Sequence, residues 1–222
     1  MERMNIMSNV LVIGAHGHVG IHMVEKLGKT GDNVFAGVRS DKQFAEYKDM
    51  ENVSPVIFDL NGTIEDMAKV YTDNAIDKIV FSAGSGGATG DDQTLIIDLD
   101  GAIKSMLAAN QAGITRYVMV SAMGADDRSF WADSGLHGYY IAKHYADVEL
   151  RNSGLEYTIV RPSALTNDEE TGKVDVIQQR VAGMNIPRKD VANFVVAVLH
   201  DDKTINHIYE ITKGSSDINA VL

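Results

Sequence analysis

The sequence has no cysteine among its 222 residues, and this absence removes several kinds of chemistry. Without thiols there is no disulfide framework, no thiolate metal site and no cysteine nucleophile. The chain therefore has no disulfide bond to lose in a reducing compartment.

Cations and long apolar runs are also scarce. The chain has 20 Lys and Arg against 31 Asp and Glu, which gives a formal net charge of -11. A surface of this charge repels a phosphate backbone, so we expect no nucleic-acid partner. The first apolar run, Val10 to Ile13, is too short for a signal-peptide core or a membrane span. We expect a cytoplasmic protein with no membrane partner.

Short β-branched runs alternate with longer stretches that have helical spacing. The runs are NVLVIG, NVFAGV, SPVIF, DKIVFSA, RYVMVS, EYTIVRP and HIYEIT. They lack the polar alternation of a half-exposed sheet, as expected when helices cover both faces. The alternation predicts a Rossmann-type, doubly wound parallel α/β sheet that forms a single domain over residues 1–222.

Glycine positions and apolar stripes indicate the predicted helices. Three glycines follow helical stretches shortly before an apolar run, which is typical of C-terminal caps: Gly31, Gly113 and Gly154. Two helices are expected to bury an apolar stripe, the first through Val19, Met23 and Leu27 and a later one through Ile96, Leu99, Ile103 and Met106.

The stretch VLVIGAHGHVG, residues 10–20, places three glycines three residues apart. It begins in a predicted strand, turns through Gly14 and Gly17, and enters a helix at about His18. Glycine is needed where the backbone turns sharply or approaches a pyrophosphate, and the helix N-terminus adds free N–H donors. The stretch therefore predicts a dinucleotide phosphate site, in which His16 can donate to phosphate. A tight strand-to-helix connection without a ligand is the simpler alternative.

The histidines of this stretch raise the alternative of a metal site. His18 and His22 lie one helical turn apart, with His16 nearby. That interpretation has no cysteine and no adjacent carboxylate, and it leaves the glycines unexplained. We therefore predict no metal, and we expect His22 to be a surface or half-buried helix residue.

The end of the second predicted strand indicates which dinucleotide binds. Sites for NAD usually have Asp or Glu about 20 residues after the glycines, where it binds the ribose hydroxyls. This sequence has Arg39 and Ser40 there, and Lys42 follows closely. A guanidinium pairs its donors with a phosphate, so we predict NADP(H) in preference to NAD(H). An ordinary exposed arginine at a strand end is the alternative.

From about Asn9 to Thr212 the chain resembles the short-chain dehydrogenase/reductases, in particular their compact atypical branch of NAD(P)H-binding or NmrA-like proteins. The resemblance rests on GAHGHVG, VRS, FDL, FSAG, YVMVSAMGA, YYIAK, GLEYTIVRPSALT and IPRKDVANFVVAVL. His16 is a departure, because the branch commonly has Thr or Ser at that position. These segments are typical of the fold and the cofactor and do not specify a substrate.

The resemblance implies which residues contact the dinucleotide. The phosphate turn implies Gly14, His16, Gly17, His18, Val19 and Gly20. The later segments imply adenine contacts from Asp59 and Leu60, a passage under the adenine ribose by Ser82, Ala83 and Gly84, and a place near the nicotinamide for Pro162 and Ser163.

The resemblance also implies a catalytic set of Ser121, Tyr139 and Lys143. On a helix, the spacing of Tyr139 and Lys143 puts the side chains about 5 to 6 Å apart on one face. A nearby ammonium favours the phenolate, so we expect Lys143 to lower the tyrosine pKa from about 10 and to bind the nicotinamide ribose. Tyr139 would be the general acid, and Ser121 would orient a substrate carbonyl. The simpler alternatives are a packed aromatic, a solvated lysine and a strand-end serine.

Tyr209 and Lys213 have the same spacing as Tyr139 and Lys143 but lie in a β-branched run. Four strand residues separate Cα atoms by about 13 Å, so we expect no cooperation between them.

Two segments, about residues 122–138 and 164–187, are expected to form a small lid on the substrate side. In the first, we expect Phe130, Trp131 and His137 to line a pocket for a planar or apolar molecule, with packing of a surface loop as an equal alternative. Solvated surface charge is the preferred interpretation of the acidic pairs Asp91-Asp92, Asp126-Asp127, Glu169-Glu170 and Asp201-Asp202.

These features predict an NADP(H)-dependent oxidoreductase that transfers hydride to a small carbonyl-, quinone- or flavin-like acceptor. We expect a small-molecule substrate and a monomer or weak homodimer. The alternative is a non-catalytic NADP(H) sensor that binds a protein partner. A nucleotide-sugar epimerase or dehydratase is less favoured, because only 60 residues follow Pro162.

Overall fold

The computed structural model describes residues 7–86 and 89–222, except for the side chain of residue 133. The described strands are Asn9–Ile13 (β1), Asn33–Val38 (β2), Val53–Ile57 (β3), Lys78–Phe81 (β4), Arg116–Val120 (β5), Glu156–Pro162 (β6), Ala164–Thr166 (β7), Lys173–Val176 (β8), Asn185–Pro187 (β9) and His207–Asp217 (β10). The α-helices are Gly20–Gly28 (α1), Ile64–Asp73 (α2), Asp91–Thr94 (α3), Ala102–Ala112 (α4), Arg128–Asp133 (α5), His137–Asn152 (α6) and Arg188–His200 (α7). None of the helices in these ranges is long and apolar enough to cross a membrane.

In the described part of the chain, eight strands form one sheet in the order β3-β2-β1-β4-β5-β6-β10-β8. Every neighbouring pair is parallel except β10 and β8, which are antiparallel. The direction of winding reverses between β1 and β4, and ligands of such sheets bind at the carboxyl ends of the strands beside this point. The predicted Rossmann-type fold is confirmed.

Alternate residues of β1 face opposite sides of the sheet. Val10 and Val12 belong to the core that includes α1 and α7, whereas Leu11 and Ile13 belong to the core that includes α2, α4 and α6. All four side chains are buried. Because both faces are covered, the strand has no position for a polar side chain.

The glycines predicted to end helices have the expected conformation. The φ angles of Gly31, Gly113 and Gly154 are 92°, 75° and 80°, and residues that have a Cβ rarely adopt such positive values. The stripe predicted for α1 is also confirmed, since Met23 and Leu27 are fully buried. The helix itself begins at Gly20, two residues after His18.

The apolar stripe predicted around Ile96 is confirmed only in part: Met106 is buried and Leu99 packs partly buried against the core, but Ile96 is exposed. Residues Leu95–Gly101, between α3 and α4, are π-helical, with wider turns than an α-helix. This shifts the buried side chains to Asp98 and Ala102, while Ile96 is 37% exposed. The π-helical segment thus turns a carboxylate, that of Asp98, toward the protein interior.

Three short strands between β6 and β10 were not predicted. Strands β7 and β9 pair with each other, and β8 extends the large sheet next to β10. At the opposite edge, β3 contains Pro55, whose missing N–H would leave a gap in a central strand.

Candidate functional site

The three glycines of the turn after β1 have different roles. Gly14 has φ +84°, and a Cβ there would lie 2.6 Å from the Ala83 nitrogen. A Cβ on Gly20 would lie 2.2 Å from the Gly14 carbonyl oxygen. A Cβ on Gly17 would meet only that same oxygen, at 3.1 Å, and Gly17 is exposed. Gly14 and Gly20 therefore hold the turn together, and Gly17 leaves a free surface beside the start of α1.

The start of α1 directs unpaired donors at this surface. Among the described residues, no acceptor bonds the amides of His18 or Val19. Val19, the N-cap residue, has no side-chain cap, and the first turn of the helix has no acidic residue. Such a helix end favours an anion, so the turn fits a pyrophosphate.

The end of β2 lies beside the turn, because the Ala15 amide donates to the Gly37 carbonyl oxygen at 3.2 Å. Arg39 follows two residues later and is exposed. Its guanidinium has no hydrogen bond or ion pair to any residue that the structure describes. His16 is also exposed, and its Nδ1 contacts the Glu46 carboxylate. Two side chains that can bond a phosphate therefore lie on neighbouring segments.

Three of the other predicted cofactor residues have contacts within the protein. The Ser40 hydroxyl accepts a hydrogen bond from the Lys42 amide at 3.3 Å. The Asp59 carboxylate is exposed and accepts from the Asn61 amide at 2.9 Å. Leu60 is only 8% exposed and packs in the core. The adenine contacts of Asp59 and Leu60 and the cofactor contact of Ser40 remain predictions.

The segment after β4 also lies at the carboxyl ends of the strands. The Ser82 amide donates to the end of β1 at 2.9 Å, and the Ala83 backbone packs on Gly14. A Cβ on Gly84 would lie 3.0 Å from Asp98 Oδ1. The segment thus connects the phosphate turn to the buried carboxylate of the π-helical segment.

Lys143 lies buried on α6, at the carboxyl end of β5. Its Nζ donates to the Val120 carbonyl oxygen at 2.9 Å and lies 3.9 Å from Asp98 Oδ1. Asp98 Oδ2 accepts from the Ser85 amide at 2.9 Å. Asp98 therefore connects the loop after β4 with the lysine. Sequence analysis missed Asp98, whose one signal is a carboxylate within the apolar stretch LIIDLDG.

Ser121 follows β5 directly, and its amide donates to the Val160 carbonyl oxygen at 2.7 Å. Its Oγ is buried and has no hydrogen-bond partner in the described part of the chain, and the same holds for Oδ1 of Asp147 on α6. Burial raises the pKa of Asp147, and the charge of Arg161 and the nearby Ser121 hydroxyl partly offset that rise. Ser121 Oγ and Asp147 Oδ1 thus lie near each other without a well-formed hydrogen bond, so either this carboxylate or a ligand oxygen can complete the bonding of the hydroxyl.

Tyr139 lies in the first turn of α6, with its ring 5.5 Å from that of Tyr140. We expected Lys143 to lower the pKa of this tyrosine, but the structure shows the opposite direction. Burial, and then the negative charge of Asp98, raise the pKa of the Tyr139 hydroxyl. The lysine is instead bonded to the end of β5. At neutral pH Tyr139 is therefore a neutral phenol, which can donate a proton.

The second Tyr-Lys pair lies in β10, as predicted. Tyr209 packs its ring against Phe194 at 5.5 Å, and Lys213 is opposite Val174 of β8. The pair is part of the sheet.

A network of charged residues around Arg161, near the end of β6, and its neighbour Glu210 in β10 was not predicted. Arg161 of β6 is buried; its Nε donates to Asp147 at 2.9 Å and its Nη1 to Asp126 at 2.8 Å. Glu210 of β10 accepts from Nε and Nη2 of Arg180 at 2.8 and 2.9 Å. The signal in the sequence is an arginine inside the apolar run TIVRP, since a buried cation requires partners.

Asp126 and Asp127 are surface charges as expected, with side chains 52% and 37% exposed, but both also take part in this network. Each carboxylate accepts from Arg180 at 2.9 Å. Burial opposes ionisation of Asp126, but Arg161 and Arg180 outweigh it and hold the pKa of Asp126 below its usual range. The Ser129 hydroxyl lowers the pKa of Asp127. Both residues are therefore ionised at neutral pH.

The network lines a cleft of about 770 Å³, within the usual range for ligand sites. We call it the β6–β10 cleft; its charged lining residues are Asp126, Asp127, Arg161, Arg180 and Glu210. The two segments predicted as a lid, about 122–138 and 164–187, each contribute residues to it.

Of the three rings expected in the pocket, Phe130 lines the β6–β10 cleft. Trp131 is 1% exposed, and its Nε1 donates to the Gly124 carbonyl oxygen at 2.9 Å. His137 is exposed and contacts the Trp131 ring. Trp131 thus packs within its own loop, as the alternative interpretation had it, and His137 does not line the β6–β10 cleft.

His16 of the glycine turn contacts one carboxylate, that of Glu46. Among the described residues, no group of three His, Asp or Glu side chains could hold a metal ion. His22 is half-buried on α1, as expected, and its pKa is lowered by burial and by Lys189.

The profile of a family described as NAD(P)H-binding matches residues 14–202, from the glycine turn to the segment after α7. The chain belongs to this NAD(P)H-binding family. The match agrees with the resemblance to atypical short-chain dehydrogenase/reductases.

Relatives of this NAD(P)H-binding protein align with nearly its whole length. A Bacillus subtilis (strain 168) protein named as an uncharacterized sugar epimerase is 41% identical over 214 residues, which are 96% of this chain and 98% of the relative. The solved structure of a proposed NAD-dependent epimerase/dehydratase from Bacillus halodurans has a TM-score of 0.89 at 36% identity and covers 96% of this chain and 98% of its own. An oxidoreductase from Lactococcus lactis has a TM-score of 0.86 at 32% identity, with 96% and 94% covered.

For an NAD(P)H-binding protein, the geometry of the turn predicts that Gly17→Val removes cofactor binding without unfolding the chain. The branched side chain would occupy the free surface beside α1, where each lost charge-assisted hydrogen bond costs about 1.5–3 kcal/mol. We expect affinity for NADPH to fall at least about 10-fold to 100-fold in titration calorimetry.

The control is Gly20→Ala, whose Cβ would overlap the Gly14 carbonyl oxygen. It should lower the thermal unfolding temperature of the cofactor-free protein, whereas Gly17→Val should leave that temperature nearly unchanged. Unchanged NADPH affinity in Gly17→Val would place the pyrophosphate elsewhere.

Proposed function

We propose that this protein is an NADP(H)-dependent oxidoreductase that transfers hydride between NADP(H) and a small carbonyl-, quinone- or flavin-like acceptor. One observation carries the proposal: Lys143 is fixed at the end of β5, and Asp98 links it to the loop beside the phosphate turn. The cofactor turn and the predicted catalytic set therefore both lie at the carboxyl ends of the parallel strands.

The proposed cofactor contacts follow from the hydrogen-bond donors at the carboxyl ends of these strands. Bound NADPH supplies the hydride. The amides at the start of α1 would hold the pyrophosphate, Arg39 and His16 would bond phosphate oxygens, and Lys143 would bond the nicotinamide ribose.

The proposed chemistry assigns one step to each side chain. Tyr139, a neutral phenol, donates its proton to the oxygen of the reduced carbonyl. Ser121 donates a hydrogen bond that orients that oxygen. Asp98 is a positioning residue, because it holds Lys143 and the loop after β4 in place and raises the pKa of Tyr139 without contacting the substrate itself. Tyr139 is protonated at neutral pH, as a general acid must be, although burial and Asp98 raise its pKa and so make it a weaker proton donor.

The proposal is tested by steady-state oxidation of NADPH with a panel of small aldehydes, ketones, quinones and flavins. We expect turnover with at least one class. Consumption of NADPH with none of them, together with tight NADPH binding, would contradict it. An epimerase returns its hydride to the substrate and consumes no NADPH, so product analysis of sugars would recognise that activity.

A non-catalytic NADP(H) sensor is the second candidate, and one observation favours it. The Ser121 Oγ is covered by protein atoms, so a substrate reaches it only if neighbouring side chains move. A sensor would bind NADPH, reduce no acceptor, and bind a protein partner only in the cofactor-bound form.

We expect NADPH to bind about 10-fold to 100-fold more tightly than NADH. The exposed Arg39 guanidinium has no partner among the described residues and is free for the 2′-phosphate, a contact worth about 1.5–3 kcal/mol. Arg39→Ala should remove most of the preference in titration calorimetry with both cofactors.

Lys42→Ala is the matched control, because Lys42 is an exposed cation three residues away. It should change the preference only a few-fold. Equal affinities for NADPH and NADH in the parent protein would refute the assignment of Arg39.

A further inference from the structure

We propose that the β6–β10 cleft binds an uncharged, hydroxyl-bearing carbonyl compound and discriminates against phosphorylated substrates. The inference rests on the proposed function for the reaction and adds the chemical class of the acceptor.

Arg161 and Asp147 connect the cleft to one predicted catalytic side chain, Ser121. Arg161 lines the cleft, and its Nε donates to Asp147 at 2.9 Å. The Asp147 carboxylate in turn lies close to the Ser121 hydroxyl. One arginine and one carboxylate therefore separate the cleft from the serine that would orient a carbonyl.

The charges of the lining leave no unpaired cation for an anionic substrate. Three carboxylates line the described cleft against two guanidiniums. Nε, Nη1 and Nη2 of Arg180 are all bonded to carboxylates, at 2.8 to 2.9 Å. Arg161 is bonded to Asp126 and Asp147. A phosphate in this cleft would have to displace one of these carboxylates or lie beside it, and like charges in contact are strongly unfavourable.

The same lining suits hydroxyl groups. Carboxylate oxygens accept hydrogen bonds from O–H donors, and each has more than one lone pair. Gln178 and Ser129 add an amide and a hydroxyl, and the Phe130 ring offers an apolar surface for C–H groups. Pockets for planar apolar ligands are mostly hydrophobic, which this lining is not. Quinones therefore match the cleft less well than a hydroxylated carbonyl compound.

Three ketones of equal chain length test the proposal: D-xylulose, D-xylulose 5-phosphate and 2-pentanone. Binding to the NADP⁺-saturated protein is measured by ligand-observed NMR, so that the result does not depend on turnover. We expect D-xylulose to bind at least about 10-fold more tightly than either of the others. Equal or tighter binding of the phosphate or of 2-pentanone, or no binding of D-xylulose, would overturn the proposal.

A variant connects the discrimination to the cleft. Asp127→Asn removes one of the three carboxylates, and asparagine can still cap α5, as Asp127 does through the amides of Ser129 and Phe130. We expect the preference for D-xylulose over its phosphate to fall several-fold. The control, Asp73→Asn, removes an exposed charge on α2 that pairs with Lys69. Equal effects of the two variants would assign the discrimination to net charge and overturn the proposal.

Turnover with the same ketones separates this proposal from the proposed function. Binding of D-xylulose without consumption of NADPH, or of NADP⁺ with the corresponding alcohol, would leave the cleft assignment and refute the oxidoreductase. Consumption of NADPH with quinones alone would support the oxidoreductase and refute the cleft assignment.

Discussion

Tyr139→Phe is expected to lower turnover by about 10²-fold to 10⁴-fold, the usual contribution of a general acid. The substitution keeps the ring against Tyr140 but removes its proton, which burial and Asp98 keep on the hydroxyl by raising the pKa of Tyr139. NADPH affinity should change little. The measurement is kcat for NADPH oxidation with the best acceptor, beside the dissociation constant from calorimetry.

Two further tyrosines are the controls. The Tyr140 hydroxyl lies near Glu210 and Arg180, and its pKa is raised by burial and by Glu210. Tyr140→Phe should change kcat by less than about 10-fold, and Tyr209→Phe should leave it unchanged. If Tyr140→Phe caused the larger loss, the proton donor would be the neighbouring tyrosine. If neither substitution lowered kcat, the acceptor would take its proton from water.

Arg161→Met is expected to destabilise the protein by about 3–5 kcal/mol at neutral pH. Asp147, at 1% side-chain exposure, would then be a buried carboxylate without its guanidinium. The free energy of unfolding is measured by urea titration. Replacing both partners, as Arg161→Met with Asp147→Leu, should recover most of the loss, because an apolar pair needs no compensating charge. Lys69→Met, which breaks the exposed pair with Asp73, should cost less than about 1 kcal/mol.

The pH dependence of this deficit identifies its cause. Asp147 is an acid whose pKa burial raises above the value in the unfolded chain, and loss of Arg161 would raise it further. Its ionised form therefore costs stability above the unfolded-state pKa of about 4, and that cost disappears when the carboxyl is protonated. The deficit of Arg161→Met relative to the parent should shrink as the pH falls from neutral toward 4. A deficit that stayed constant over this range would indicate lost packing instead.

Much of the fold could be predicted because it follows from local signals. The alternation of apolar runs predicted the strands of the parallel sheet, and glycines such as Gly113 ended helices where a positive φ was required. The π-helical segment Leu95–Gly101 could not be predicted, because its apolar residues have nearly the spacing of an α-helix. The wider turn nevertheless changes which of these side chains face the protein interior. Strands β7 and β9, with three residues each, are too short to show a period.

The phosphate turn could be predicted for the same reason: Gly14, Gly17 and Gly20 lie within one continuous stretch. The arginine network could not, because the partners of Arg161 come from the loop after β5, from α6 and from β10. The direction of the Tyr139 pKa shift was wrong for a related reason. The helix spacing placed Lys143 on the correct face, but only the folded chain shows that its ammonium is bonded to Val120.

Pro55 has a consequence for solubility. Strand β3 is the edge of the described sheet on the β2 side, and such an edge is a template on which another polypeptide can add as a further strand. A proline at the middle of this strand has no N–H to offer, so an added strand would have a carbonyl left unbonded there. The chain therefore has built-in protection against edge-to-edge aggregation at this strand.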